Sequence, residues 1–400
     1  MSSRRFFLTL LFGTLVGLAA TAAFNFIVDP FWYFRKVEIA GFNAVKPKFV
    51  NFERHVKPGL VAREKPKAII FGSSFAEIGF DPLNPNFTDG GRLPGYNFGI
   101  AGATWDMIQC YIEYALARAQ PKRILVGISL GAMPRVDCSK RLADMDSPDL
   151  VSFLLSTDAL QASINTVWEQ RKGVGTHTRE GLFYYAKAAT GVDSAFREFF
   201  HAHEKVCPIG ESTARHAETL TLPLPPPAED IDFSGLTHVL EMAAKQGVEV
   251  FLVVYPVHAY VQELGYSCGT YRNTWAMIRK LGQLVDHVPK DARVRIEQWH
   301  FPGYNHLTGE RVTSGVMRYW QDPRHFNSEL GDILLANIFG ANGASSFRFG
   351  YRVVPGIETR QLAQVMRERQ AYVAEHAWFF PDLERLLQEA GVTRSPGPRS

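Results

Sequence analysis

Five short apolar or β-branched runs recur along the chain, at Lys67–Phe71, Gly95–Ile100, Arg123–Ser129, Val248–Tyr255 and Ala292–Trp299. Stretches with helical spacing lie between them. Met107, Ile108, Tyr111, Ile112, Ala115 and Leu116 share one face of a helix over 104–120, Leu236–Gln246 stops at Gly247 as a helix with a glycine C-cap would, and Trp275, Ile278, Leu281 and Val285 mark another. Strands alternating with helices predict an α/β domain whose parallel sheet is covered on both faces and crossed over right-handedly. In such sheets, sites form at the carboxyl ends of the strands.

The N-terminus predicts export. Arg4 and Arg5 precede an apolar run from Phe6 to Val28, long enough to cross a bilayer core of about 30 Å as a helix. Basic residues ahead of the run keep its start cytoplasmic and the bulk of the chain outside. Phe31, Trp32, Tyr33 and Phe34 follow in the place of an interfacial aromatic belt. Ala19–Ala23 also suits a signal peptidase, and Ser3–Leu8 resembles a twin-arginine signal. The apolar run continues past Ala23, which favours an uncleaved anchor; all three readings export the domain.

The expected organisation is an anchor at 1–30, a connector at 31–66, an α/β domain at 67–345 and a helical extension at 346–400. Asp137–Asp232 is too long for a single crossover, so it reads as an inserted cap with helical pieces at 148–170 and 179–203 and a stiff exit at Leu222–Pro227. Ile357–Ala390 reads as one or two amphipathic helices, followed by a disordered tail at 394–400.

The 400 residues, 46% hydrophobic, suffice for a sizeable core. Lys plus Arg (43) against Asp plus Glu (40) leaves +3 with no dense basic stretch, which argues against a nucleic-acid partner. Cys110, Cys138, Cys207 and Cys268 have no Cys-x-x-Cys spacing, so neither zinc nor a thioredoxin-like pair is indicated; an exported chain has room for one or two disulfides. His201 with His203, and His300 with His306, lack metal spacing, and no metal or other cofactor is expected.

The chemistry concentrates in two segments. Phe71-Gly-Ser-Ser-Phe75 closes the first predicted strand and opens a short helix. It reads either as a nucleophile turn that exposes Ser74 at the top of the sheet, or as a capping box with Ser73 or Ser74 as N-cap and Glu77 reaching back. A base is available in Asp322-Pro-Arg-His325, on the loop before a helix capped at Asn327 or Ser328. An aspartate three residues ahead of a histidine is placed to accept its Nδ1 proton and leave Nε2 free to deprotonate a serine.

Taken together, the strand ending in Gly-x-Ser, the segment Tyr96-Asn-Phe-Gly-Ile-Ala-Gly-Ala-Thr104 and the late Asp-x-x-His resemble the SGNH, or GDSL-type, hydrolase superfamily. The Gly-Ser-Ser form with an N-terminal anchor is similar to membrane-bound members of bacterial envelope systems, such as DltD-type and alginate O-acetylation proteins. The resemblance spans roughly residues 66–340 and leaves the cap outside.

It implies a three-layer α/β/α sandwich with a parallel, flavodoxin-like sheet, and a single-pass inner-membrane protein with its domain in the periplasm. It makes Ser74 the nucleophile, His325 the base and Asp322 its orienter, with the N–H groups of Ser74 and Gly102 as oxyanion donors. The chain departs from the pattern after the third strand. Ile128-Ser-Leu-Gly-Ala-Met133 stands where the family carries Gly-x-Asn-Asp, so the side-chain oxyanion donor is missing at its usual place, and Ser129 is either its substitute or, as is commoner at a strand end, a serine bonded to backbone. Loss of such a donor costs on the order of 3 kcal/mol of transition-state stabilisation.

His258, beyond the fourth strand, lines a substrate cleft or is a structural histidine bonded to backbone. Asn97, by the resemblance, ties the second strand to the nucleophile loop and borders the cleft, as does Ser129. Asp81-Pro82 ends the short helix. Trp299, Phe301, Tyr304 and Trp320 suit either a carbohydrate platform or a core.

The expected function is a serine esterase or O-acyltransferase on ester-linked acyl groups, acetyl foremost, of envelope or exopolysaccharide glycans. Its expected partners are the glycan and inner-membrane polysaccharide-modification proteins. The alternative is a non-catalytic protein that uses the same scaffold to bind a glycan or a partner of that machinery.

Overall fold

The computed structural model describes residues 3–146, 150–172, 175–184, 192–204, 231–267, 270–289, 291, 293–313, 315–340 and 347–392. In chain order it runs α1 (Ser3–Val28), α2 (Glu53–Glu64), β1 (Ala68–Gly72), α3 (Ser74–Gly79), β2 (Gly95–Gly99), α4 (Trp105–Arg118) and β3 (Arg123–Ile128). The segment after β3 carries α5 (Ser139–Asp146), α6 (Leu150–Leu155), α7 (Thr157–Glu169) and α8 (Val192–Glu204). The chain then returns through α9 (Ser234–Lys245), β4 (Glu249–Val254), α10 (Ala259–Ser267), α11 (Tyr271–His287), β5 (Ile296–His300) and α12 (Ser328–Phe339). It ends with β6 (Tyr351–Val353), α13 (Glu358–Glu375) and α14 (Phe379–Glu389).

The six strands form one sheet in the order β2-β1-β3-β4-β5-β6. The first five pair in parallel, and β6 adds an antiparallel edge on β5. The parallel part has the 2-1-3-4-5 order of doubly wound sheets, whose direction of winding reverses between β1 and β3; ligand crevices open there, outside the carboxyl ends. Alternate residues of each strand feed two apolar cores. Ile69, Phe71, Val126 and Leu252 belong to one with α4, α9 and α11, while Ile70, Leu125, Phe251 and Val253 belong to the other with α12, α13 and α14.

Each of the five predicted strands is present, shifted or shortened by one to four residues. The late helix begins at Asn327, whose side chain accepts the Leu330 N–H at 3.3 Å. Gly247, just after α9, takes φ +69, the left-handed conformation of a helix-ending glycine. In the expected cap, α6 and α7 occupy the first helical piece. Of the second, residues 192–203 lie in α8 and the described residues 179–184 are not helical; His177 and Phe183 pair as an antiparallel bridge. Leu222–Pro227 and the 394–400 tail lie outside the described residues, as do Cys207 and Cys268. Cys110 on α4 and Cys138 ahead of α5 form a disulfide.

Two expectations near the N-terminus are corrected. The stretch read as a connector packs as part of the domain: Val56, Leu60 and Val61 of α2 are buried in the core. Phe31 and Trp32 are buried there too, so they do not form an interfacial belt. Phe31 stacks on Phe52 at 4.0 Å and Trp32 meets Phe49 edge-on at 5.7 Å. α1 itself is long and apolar enough to cross a membrane.

Candidate active site

β1 is buried throughout and ends at Gly72, whose φ of +153 lies in the region that glycine alone adopts freely. A Cβ there would overlap the Tyr255 hydroxyl and the Ala76 methyl, and one at Gly127 of β3 would overlap the same hydroxyl. Gly72 lets the chain turn tightly enough to put Ser74 at the first position of α3, and Gly127 leaves room for the Tyr255 hydroxyl beneath that turn. Ser73 is the N-cap by backbone alone, with no side-chain capping bond. The capping-box reading fails because Glu77 points into the protein and pairs with Lys57 at 2.6 Å.

The candidate base arrives from the other end of the chain. Trp320 and Phe326 pair as an antiparallel bridge, and Gln321 N–H donates to His325 O at 2.8 Å, so residues 321–325 form a closed turn. Phe326 is buried and fills the space beside Gly79, where any Cβ would strike its ring. Gly331 of α12 rests directly on the Gly79 carbonyl. Two glycines and one phenylalanine thus seat the Asp322–His325 turn against α3.

His325 Nε2 lies 2.9 Å from Ser74 Oγ, and His325 Nδ1 lies 2.6 Å from Asp322 Oδ2. The second Asp322 oxygen accepts the N–H groups of Arg324 and His325, each at 2.9 Å. Burial pushes the Asp322 carboxyl upward, but the hydrogen bond and charge of His325, with the two N–H donors, outweigh it and leave the pKa below the usual carboxylate value. An ionised Asp322 on Nδ1 leaves Nε2 facing the hydroxyl, the arrangement general-base activation of a serine requires.

On the β2 side, Ile100 N–H donates to Gly72 O at 3.1 Å, which fastens the loop after β2 to the turn that carries Ser74. Ala103 N–H closes that loop on Ile100 O at 3.0 Å, and Gly102 takes φ +66 at its third position. The Ser74 N–H belongs to the first turn of α3, where amides have no intrahelical partner.

A cavity of about 370 Å³, lined by Phe75 and Arg324 but not by Ser74 or His325 themselves, opens beyond the ends of β3, β4 and β5. Phe75, Ser129, Tyr255, Tyr271, Trp275 and Arg324 contribute to its largely apolar wall. Ser129 is exposed and lines it, on the strand end where the sequence lacks an asparagine.

Asn97 and His258 do not line the cleft. Asn97 is fully buried: its amide donates to Ala76 O at 2.9 Å and Phe80 O at 2.8 Å, and its carbonyl accepts Gly99 N–H at 2.8 Å. It staples β2 to the middle and the C-terminal end of α3. His258 is also fully buried, with Nε2 donating to Glu310 O at 2.8 Å and Nδ1 accepting Tyr260 N–H at 3.2 Å. Burial lowers its pKa to about 4. Its own N–H donates to Pro323 O at 3.1 Å, so it braces the 321–325 turn. Phe301, Tyr304 and Trp320 are core residues, and Asp81 lies past the end of α3, accepting Leu83 N–H at 2.9 Å.

Sequence reasoning missed the support beneath Ser74. Lys57 of α2 is fully buried and binds Glu77 at 2.6 Å, Glu53 at 3.3 Å and the Gly99 carbonyl. His177 Nε2 joins the group at 2.8 Å from Glu77. The ligand atoms of Glu53, Glu77 and His177 lie within 4.8 Å of one another, a spacing that suits a metal. The Lys57 ammonium already provides the cation this donor set needs. Burial raises the Glu77 pKa, while the lysine and histidine pull against it. The four residues come from three distant segments, so no local motif announces them. Tyr255 was within reach of the sequence, since it ends the β4 run on the site edge.

The chain matches no family model and no curated protein, so its own geometry carries the functional argument.

Proposed function

We propose that this chain is an exported, membrane-anchored serine esterase or O-acyltransferase of the SGNH type, acting on ester-linked acyl groups, acetyl foremost, of envelope or exopolysaccharide glycans. The observation that carries the reading is the Ser74–His325–Asp322 chain, at 2.9 and 2.6 Å, at the carboxyl edge of the sheet. Ser74 Oγ attacks the ester carbonyl as His325 Nε2 takes its proton. His325 then returns the proton to the leaving alcohol, and the acyl-enzyme passes its group to water or to a sugar hydroxyl. Backbone N–H groups at Ser74 and Gly102 stabilise the oxyanion, and the cavity beside Phe75 receives the substrate.

Anchoring by α1, with the domain on the extracytoplasmic side, fits Arg4 and Arg5 in its first turn. The Cys110–Cys138 disulfide fits an oxidising compartment. The partners that suit this reading are the acylated glycan and inner-membrane proteins of polysaccharide modification.

A second reading, a scaffold that binds a glycan or partner without turnover, draws on the third strand. Its exit offers Ser129 rather than a carboxamide donor. Fluorophosphonate labelling of the purified full chain separates the two: covalent modification that disappears in Ser74→Ala supports the enzyme, and no modification supports the scaffold.

A further inference from the structure

Among the described residues, nine large apolar side chains outside α1 are exposed, and six of them gather where α1 meets the domain: Ile39, Leu150, Val151, Leu155, Ile164 and Trp168. Five belong to α6 and α7. Ile164 and Trp168 stand one turn apart on the same face of α7, and Trp168 is 77% exposed. The opposite face is buried and made of small residues, Ala159, Ala162, Ser163 and Thr166. In this hairpin α7 turns its small residues inward and its large apolar ones outward, and α6 buries only Phe153 while exposing Leu150, Val151 and Leu155, an arrangement inverted for water. It is correctly ordered for lipid.

The hairpin also continues the apolar surface of α1, which packs against both α6 and α7. Asn25, buried in the last turn of α1, donates to Leu154 O at 2.9 Å. The end of α1 is held rather than free. Lys46 Nζ donates to Val28 O at 2.7 Å, Asn43 donates to Ile27 O at 2.9 Å, and the Asp29 carboxylate gathers the N–H groups of Tyr33, Phe34 and Arg35. A membrane-spanning α1 therefore carries the hairpin with it at a fixed height.

We propose that α6 and α7 lie in the headgroup layer of the bilayer beside α1, with Val151, Leu155, Ile164 and Trp168 dipping into its apolar edge. This rests on α1 being a retained anchor. Lipid is the occupant because the patch is continuous with the lipid-facing surface of that anchor, and because a tryptophan at its margin suits the headgroup level. The seat fixes the site as well. Phe31 at the exit of α1 stacks on Phe52, and Arg54, two residues on, donates to Ala101 O at 2.9 Å beside Gly102. The oxyanion loop is thereby tied to the anchor exit, and the Ser74 edge of the sheet is held at a set distance from the membrane.

The test reconstitutes the full chain in phosphatidylcholine vesicles, with and without bromine on the upper acyl carbons, and reads tryptophan fluorescence together with intact mass. Bromine quenches the wild-type chain, and Trp168→Phe removes roughly half or more of the quenched intensity, since interfacial indoles sit within reach of those carbons. Trp378→Phe, at the far C-terminal helix, leaves the quenching unchanged. An intact chain whose quenching is the same in Trp168→Phe overturns the interfacial seat alone. A mass showing cleavage near Ala19–Ala23 overturns the anchor, and the seat with it. Fluorophosphonate reactivity at Ser74 reports on catalysis independently of either result.

Discussion

The ring of Phe75 lies nearly parallel to the imidazole of His325, with centroids 4.6 Å apart and planes 20° from one another, and its other stacking partner is Tyr255 at 5.0 Å. The residue after the candidate nucleophile thus sets the plane of the candidate base. Each aromatic pair contributes about 0.5–1.5 kcal/mol beyond its burial. Phe75→Ala should therefore slow fluorophosphonate labelling of Ser74 by about 10-fold or more, while Phe75→Tyr keeps most of the rate. Labelling at the wild-type rate in Phe75→Ala would show that the stack does not orient the histidine.

Asn97 gives a prediction about stability rather than substrate affinity. Asn97→Ala leaves the Phe80 carbonyl and the Gly99 N–H without their carboxamide partner and Ala76 O with only the Phe80 N–H, a cost of about 3 kcal/mol. Asn97→Asp should be no better, because a carboxylate cannot donate to those two carbonyls. Urea unfolding of the two variants checks this; unchanged midpoints would mean that the staple carries no weight.

Lys57→Met removes the ammonium that two buried carboxylates share, and breaking a buried pair from one side costs about 3–5 kcal/mol. Adding Glu77→Gln should recover part of that loss by removing the stranded charge. A double-mutant cycle of unfolding free energies measures the coupling, and strictly additive losses would contradict it.

The buried histidines set the acid limit of the fold. His258 has its pKa lowered by burial to about 4, and burial takes His300 to about 3. Unfolded, each binds a proton near pH 6.5, so the unfolded state holds more protons than the folded one between that value and the folded pKa. The stability present above pH 6.5 is therefore lost as pH falls through this window, at about 1.4 kcal/mol per unit for each group. His258→Gln should flatten the dependence between pH 6.5 and 4 by about one proton, as seen in urea midpoints at stepped pH. Parallel curves for the variant and the wild type would refute it.

The strands were legible because each is a short apolar run with a turn at its end, and the site because Gly-Ser-Ser and Asp-Pro-Arg-His are both local. What escaped was non-local or polar. α2 reads as connector because its buried face carries Glu53 and Lys57 among the apolar residues. Glu77 has the spacing of a capping box, and only the tertiary approach of Lys57 and His177 turns it inward. β6 is three residues long, too short for any period to show. His258 and Asn97 sit on the correct edge of the sheet, but sequence does not reveal whether a polar side chain at a strand end faces the cleft or the backbone beneath it.

The central claim is that Ser74 is a nucleophile activated by His325 and oriented through Asp322. Fluorophosphonate labelling of the purified full chain, followed by peptide mass spectrometry, measures it directly. The account predicts a single adduct on Ser74, abolished in Ser74→Ala, lost in His325→Ala, and slowed by about 10³-fold or more in Asp322→Asn. An unlabelled wild-type chain, or a label that persists in Ser74→Ala, would contradict it.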